Sequence, residues 1–243
     1  MAAPEGLVDA HVHMWSDDFA RFPLAPGFTA ADLWLPRFTP LEYDTSTGAT
    51  ASAGAHRARI NLVQMTWYGL DHSYILHLIA SDPGRFSGTG CVPAICDVSL
   101  AAPGDAMRHL AAQGIQAFRV RGGLAGGGIN PPDGRWLDTP GHESMFEAAA
   151  EQGLALSFLG GPGDLPELDR MMAKHPTAPV ILDHFMGCAR ADLAGPEELD
   201  LLCELGRRHP HCYAKIGPLD HFSERWEHHA RRASACLFCC RLP

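Results

Sequence analysis

The sequence predicts an α/β protein with a (β/α)8, TIM-barrel-like fold, and three observations support this class. First, strand-like and helix-like segments alternate along the 243-residue chain. The strands are nearly continuous apolar runs, as expected for a parallel sheet that is covered on both faces. Second, no G-x-G-x-x-G turn follows the first strand, which argues against an open dinucleotide-binding sheet. Third, polar residues recur where strands end, which is where barrel enzymes place their catalytic groups.

The predicted elements follow one another at short intervals from residue 59 onwards. The first strand lies within residues 7–15, and about residues 15–57 form an irregular segment rich in proline and small residues. Further strands are predicted at residues 60–65, 86–93, 115–120, 154–159, 179–184 and 212–216. Helices are predicted between them at residues 73–80, 105–113, 142–152, 165–174 and 197–208. Gly114 follows one of these helices and is expected to cap it, and another helix ends at Gly153.

The alternation of strands and helices stops after the seventh predicted strand. We therefore expect a barrel domain over residues 1–223 that lacks its last strand–helix unit, followed by an atypical tail over residues 224–243. A zinc site made by Cys236, Cys239 and nearby histidines is a less favoured interpretation of this tail. Structural zinc sites usually combine two well-separated pairs of ligands.

The composition excludes several classes of function. The net charge is -9 and the pI is near 5.8, so a basic surface for nucleic acid is not expected. No run of about 18 apolar residues is present that would span a membrane, and the first residues do not resemble a secretory signal. The cysteines are irregularly spaced and are expected to be reduced thiols of a cytoplasmic protein.

Two histidines near the start of the chain are the first candidates for a functional site. His11 and His13 are one residue apart at the end of the first predicted strand. Side chains alternate between the two faces of a strand, so both imidazoles are expected on the same face. Two imidazoles placed in this way provide two of the ligands that a hydrolytic metal ion needs.

Several segments together resemble the amidohydrolase-related (amidohydrolase 2) family of metal-dependent hydrolases, in particular its branch of sugar-lactone and 2-pyrone-4,6-dicarboxylate lactonases. The similarity covers about residues 6–223 and is carried mainly by the segments Val8-Asp9-Ala10-His11-Val12-His13, Asn61-Leu62-Val63-Gln64, Pro83-Gly84-Arg85-Phe86, Gly114-Ile115-Gln116-Ala117-Phe118-Arg119 and Val180-Ile181-Leu182-Asp183-His184. This resemblance implies a (β/α)8 barrel and the hydrolysis of a lactone that is anionic or polyhydroxylated.

The resemblance also implies a role for the two histidines of the first strand and for two later residues. His11 and His13 match metal ligands, and the metal would be a divalent ion such as zinc or manganese, although some lactonases of this branch work without one. Arg119 matches an arginine that binds an anionic substrate, for which a planar guanidinium is well suited. His184 matches a catalytic histidine that contacts the lactone carbonyl or transfers a proton.

The resemblance adds Gln64 and Lys215 as residues that bind substrate, and each candidate has a structural alternative. Gln64 is nearly as well explained by packing, and Lys215 by a solvated position at the rim of the barrel. The structural alternative for Arg119 is an ion pair between a helix and the sheet, and His184 would otherwise be a core histidine held by the preceding aspartate.

The sequence departs from the family pattern at its end. Members of the superfamily use an aspartate on the eighth strand as metal ligand or base, and no G-[ST]-D-like segment follows Lys215. Three hypotheses therefore stay open. The chain is a lactone hydrolase with an impaired base, a decarboxylase of the same superfamily acting on an aromatic or unsaturated acid, or an inactive truncated binding protein.

Overall fold

The computed structural model describes residues 8–48, 58–94, 101–122, 133–188 and 195–215. The strands of this part of the chain are β1 (Val8–Val12), β2 (Arg59–Val63), β3 (Phe86–Gly90), β4 (Ile115–Arg121), β5 (Ala155–Leu159), β6 (Val180–Leu182) and β7 (Cys212–Ala214). The α-helices are α1 (Pro40–Ser46), α2 (Ser73–Ser81), α3 (Pro103–Ala111), α4 (Pro140–Gln152), α5 (Leu165–Lys174) and α6 (Pro196–Arg208).

The order of the strands confirms the predicted fold class. β1 to β7 are neighbours in sequence order within one sheet. The pairs β1–β2, β2–β3, β5–β6 and β6–β7 are all parallel. Sequential parallel strands joined by helices are the arrangement of a TIM-barrel-like fold. The predicted absence of the last strand–helix unit concerns residues that follow position 215, which lie outside the described part of the chain, as does the tail.

The chain divides into two compact units. The first contains residues 1–92 and 109–117, and the second contains residues 93–108 and 118–243. β1, β2, β3, α1 and α2 belong to the first unit, and β5, β6, β7, α4, α5 and α6 belong to the second. In the second unit, Leu156 and Phe158 of β5 and Leu168 and Met171 of α5 are all fully buried.

Most predicted boundaries agree with the structure within a few residues, and α5 agrees at both ends. α3 ends at Ala111, before the expected cap Gly114, whereas Gly153 caps α4 in the left-handed conformation. The segment predicted to be irregular contains α1, which begins at Pro40. Its N-cap residue, Thr39, forms a capping box with Glu42 at the start of the helix. A helix of this length gives little periodicity in the sequence, so the cap is its only strong signal.

The sixth strand is shorter than predicted. β6 ends at Leu182, and residues Asp183–Gly187 form a turn in which His184, Phe185 and Met186 all have φ between 52° and 54°. A non-glycine residue in this left-handed region costs about 1–2 kcal/mol. Phe185 and Met186 are nevertheless buried, so their packing stabilises a turn that local preference disfavours.

Cys91, Cys188 and Cys212 are not disulfide-bonded. Cys203 is disulfide-bonded, so the expectation of reduced thiols does not hold at that position. Among the described residues, no helix is both long and apolar enough to cross a membrane.

Candidate active site

The two histidines of the first unit converge as predicted. The Nε2 atoms of His11 and His13 are 3.1 Å apart, and the two rings meet edge to face. His11 lies on β1, and His13 follows the end of that strand, beyond a shift in register between Asp9 and Val12. Both imidazoles are half-buried.

One hydrogen bond sets the tautomer of His13. Its Nδ1 lies 2.8 Å from the carbonyl oxygen of Val63, at the end of β2. Because a carbonyl oxygen only accepts, Nδ1 carries the proton, and Nε2 of the neutral ring keeps its lone pair. Two nitrogen ligands at about 2.0–2.1 Å from a tetrahedral zinc ion lie about 3.3 Å apart, which is close to the separation of the two Nε2 atoms. The pair therefore fits two positions of a metal site.

Asp9 supports this pair from the side of α1. Its Oδ1 accepts a hydrogen bond from the backbone N–H of His11 at 3.3 Å, and its Oδ2 accepts one from the Tyr43 hydroxyl at 2.9 Å. Burial and the hydrogen bond to Asp9 raise the pKa of Tyr43 above its ordinary value. Tyr43 therefore stays protonated and serves as a donor that orients Asp9. Among the residues that the structure describes, no group of three or more His, Cys, Asp and Glu side chains is close enough to hold a metal ion.

Gln64 follows β2 and is buried. Its Nε2 donates hydrogen bonds to the carbonyl oxygens of Gly69, at 3.1 Å, and Asp71, at 2.6 Å. The amide N–H groups therefore hold the loop that precedes α2, which is the packing role considered above. Its Oε1 has no hydrogen-bond partner among the described residues and is the only part of the amide left to accept a hydrogen bond from a ligand.

Arg119 and Lys215 come together in the second unit around a residue that was not predicted as part of the site. The carboxylate of Asp183 lies 3.0 Å from Nη2 of Arg119 and 2.8 Å from Nζ of Lys215. The hydroxyl of Ser157 lies 2.9 Å from each carboxylate oxygen. These four residues belong to, or directly follow, β4, β5, β6 and β7, so each strand contributes one member.

The electrostatics of this cluster are those of a buried ion group. Asp183 is 0% exposed and Lys215 is 8% exposed. Burial alone would raise the pKa of Asp183, but the charges of Lys215 and Arg119, together with the hydrogen bonds from Lys215 and Ser157, bring it below its ordinary value. Asp183 is therefore ionised at neutral pH, and two cations and one anion leave the three side chains with a summed charge of +1.

His184 is half-buried and directly follows Asp183 in the left-handed turn. The sequence suggested that Asp183 holds this histidine if the role is structural, but the Asp183 carboxylate faces Ser157, Arg119 and Lys215. Lys215 is also not at a solvated rim, since it is buried in an ion pair. The structure thus brings His11 and His13 together in one unit, and Arg119 and Lys215 together in the other.

Sequence reasoning missed Asp183 and Ser157 as members of the second cluster. The signal available for Asp183 was an acidic residue that directly ends an apolar strand, because a carboxylate in that position is buried and needs cationic or hydrogen-bonding partners. Nothing comparable marks Ser157, whose hydroxyl is one of many in the chain. Its role follows only from the neighbouring position of β5 and β6 in the sheet.

Comparison with known proteins agrees with the resemblance seen in the sequence. The sequence model of the amidohydrolase family matches residues 8–238. The search of curated proteins finds no significant match. A solved structure from Pseudomonas putida, provisionally named a 2-pyrone-4,6-dicarboxylic acid hydrolase, is 19% identical with a TM-score of 0.67, and the match covers 97% of this chain and 77% of that one.

Two further solved structures are similar. A protein from Acinetobacter baumannii with the same provisional name and with citric acid bound is 15% identical, with a TM-score of 0.57, over 96% of this chain and 92% of that one. An amidohydrolase from Burkholderia multivorans with bound zinc is 17% identical, with a TM-score of 0.62, over 97% of this chain and 79% of that one. At these identities the likeness shows a shared fold. The match of the family model over nearly the whole chain identifies this protein as a member of the amidohydrolase family and as a hydrolase of that superfamily.

Proposed function

We propose that this hydrolase opens a lactone that carries at least one carboxylate. The observation that carries the proposal is the buried group of Arg119, Lys215 and Asp183, whose summed charge is +1. A small anionic substrate is the ligand that such a group attracts, because buried cations interact strongly with a carboxylate. Two proteins of similar structure bear the name of a dicarboxylated-lactone hydrolase, which supports this substrate class.

In this proposal each candidate side chain has a separate role in binding or catalysis. Arg119 and Lys215 bind and orient the carboxylate of the lactone, so that its ester carbonyl is presented in a fixed direction. His184 donates a hydrogen bond to the carbonyl oxygen or moves a proton there, since an imidazole titrates near neutral pH. The Oε1 atom of Gln64 accepts a hydrogen bond from a hydroxyl group or a water molecule.

His11 and His13 are the residues that would hold a divalent metal ion, zinc or manganese, through their Nε2 atoms. The fit rests on the separation of these atoms and on the fixed tautomer of His13. When bound, such an ion supplies Lewis acidity, which polarises a carbonyl group and lowers the pKa of a bound water molecule. If the reaction proceeds without metal, the same two imidazoles act as hydrogen-bonding groups toward the substrate.

The proposal is tested with purified protein, its metal content and two lactones. The substrates are 2-pyrone-4,6-dicarboxylate and the uncharged 2-pyrone, each assayed for ring opening and for release of carbon dioxide. We expect ring opening of the dicarboxylate, and we expect Arg119→Met to lower kcat/KM for it by about ten- to a hundredfold, the value of a charge-assisted hydrogen bond.

The matched control is Arg108→Met, which removes an arginine whose ion pairs with Asp105 and Glu151 are on the surface. This variant should leave both rates unchanged. An equal loss for both lactones in Arg119→Met would contradict the proposed substrate class. Carbon dioxide release without ring opening would favour the decarboxylase, and no turnover of either compound would favour a binding protein. Turnover in His11→Ala equal to that of the parent protein would remove the role assigned to the histidine pair.

A further inference from the structure

Asp183 is placed so that it cannot act on a substrate directly. Its side chain is completely buried, and both carboxylate oxygens are already engaged. Oδ1 contacts Lys215 Nζ and Oδ2 contacts Arg119 Nη2, while the Ser157 hydroxyl bridges the two oxygens. Any influence of this carboxylate on a ligand therefore passes through Arg119 and Lys215.

The two cations depend on Asp183 for their position. They contact opposite oxygens of one carboxylate, so without it two buried positive charges would face each other at short range in a medium of low dielectric. The flexible lysine side chain would then move away from the guanidinium group of Arg119. The backbone of Lys215 is fixed separately, because its N–H donates a hydrogen bond to the carbonyl oxygen of Leu182 at 2.9 Å. Asp183 therefore controls only the position of the Lys215 side chain.

Asp183 also begins the left-handed turn that carries His184. The next two residues of the turn, Phe185 and Met186, are buried, and all three residues after Asp183 have positive φ. Such a turn persists only where the surrounding structure holds it. The ion group holds its first residue, and the apolar core holds the two residues after His184. The burial of Phe185 and Met186 therefore keeps His184 in place whatever the charge at position 183.

We propose that Asp183, supported by Ser157, is a positioning residue that holds Arg119 and Lys215 in the orientation in which they bind the carboxylate of the substrate. This inference rests on the proposed function for its substrate class, but its physical content is narrower. It states that removing one buried negative charge weakens the binding of an anion. If Asp183 merely competed with the ligand for the two cations, its removal would strengthen that binding instead.

The experiment measures citrate binding by calorimetry and the kinetics of the two lactones for three variants. Asp183→Asn removes the charge, and Ser157→Ala removes only the hydroxyl that supports it. The matched control is Asp44→Asn, which breaks the other buried arginine–carboxylate pair, Arg85 with Asp44, in the first unit. Ser157→Ala keeps every charge, so it decides the question if Asp183→Asn does not fold.

We expect Asp183→Asn to weaken citrate binding by at least tenfold and Ser157→Ala by a few fold, with no change in Asp44→Asn. For 2-pyrone-4,6-dicarboxylate, KM should rise while kcat changes less, and the kinetics of the uncharged 2-pyrone should be unchanged. A purely structural role of Asp183 would instead lower activity on both lactones together, in step with the loss of folded protein.

The outcomes separate this inference from the proposed function. If the variants weaken citrate binding as described but the parent protein opens no lactone, the proposed reaction is refuted and the role of Asp183 is supported. Unchanged or tighter citrate binding in both Asp183→Asn and Ser157→Ala would overturn that role even if the lactone is hydrolysed. A parent protein that binds neither citrate nor the dicarboxylate would overturn it as well.

Discussion

The ends of β4 and β5 enclose a buried carboxylate, and this packing makes Gly122→Ala an informative change. Asp164 is 1% exposed, and its Oδ2 accepts a hydrogen bond from the N–H of Gly161 at 2.9 Å. A Cβ atom added at Gly122 would lie 2.3 Å from that Oδ2 and 2.9 Å from the Cα of Gly160. Both distances are well below the sum of the van der Waals radii. The Cα of Gly160 is a backbone atom, so it cannot rotate away as a side chain could.

The size of the effect follows from these contacts. Forcing one extra carbon into a well-packed interior costs about 1–3 kcal/mol. Displacing Asp164 also weakens its hydrogen bond to Gly161, which adds about 1 kcal/mol. We therefore expect Gly122→Ala to lower the free energy of unfolding by about 2–4 kcal/mol, measured by urea denaturation at neutral pH.

A neighbouring glycine provides the control. Gly161 has no atom within 4 Å of the position that a Cβ would take, and its φ of -125° suits any residue. Gly161→Ala should therefore stay within about 0.5 kcal/mol of the parent protein. The penalty of Gly122→Ala should also be smaller in an Asp164→Ala background, which lacks the oxygen that is approached most closely. Equal stability of the two glycine variants, or a penalty that Asp164→Ala does not reduce, would refute the packing argument.

Three further predictions concern buried groups. The native pKa of Asp183 is below its ordinary value, so its contribution to stability is complete above about pH 4 and is lost as the pH falls through the native pKa. In urea denaturation, the difference in free energy of unfolding between the parent protein and Asp183→Asn should therefore narrow below about pH 4. A difference that stays constant with pH would contradict this. Asp44→Asn should lower the free energy of unfolding by about 3–5 kcal/mol in the same assay, because it leaves the buried guanidinium of Arg85 without the Asp44 carboxylate. A loss below about 1 kcal/mol would argue against a buried ion pair. Burial raises the pKa of the Cys188 thiol to about 12, so iodoacetamide at pH 8 should alkylate the half-buried Cys91 before Cys188, as followed by peptide mass spectrometry. Equal alkylation rates at these two cysteines would contradict the burial of Cys188.

The parts of the fold that follow local patterns could be predicted, and those that depend on packing could not. The helical pattern of the sequence is enough to place α5, and the glycine after the predicted α4 marks where that helix ends. The end of β6 is different, because nothing in the sequence around His184 favours left-handed backbone. That turn is stable only because Phe185 and Met186 are buried, and burial is a property of the assembled core.

The candidate site divides in the same way. The spacing of His11 and His13 predicts that their side chains point the same way, because alternate residues of an extended segment share a face. The sequence also determined the family, through motifs in a fixed order. Only the tertiary structure decided that Arg119 and Lys215 share the carboxylate of Asp183, and that Ser157 completes the group. These four residues are distant in sequence and meet because β4 to β7 are successive strands of one sheet, so their electrostatics arise from strand order and burial rather than from any local motif.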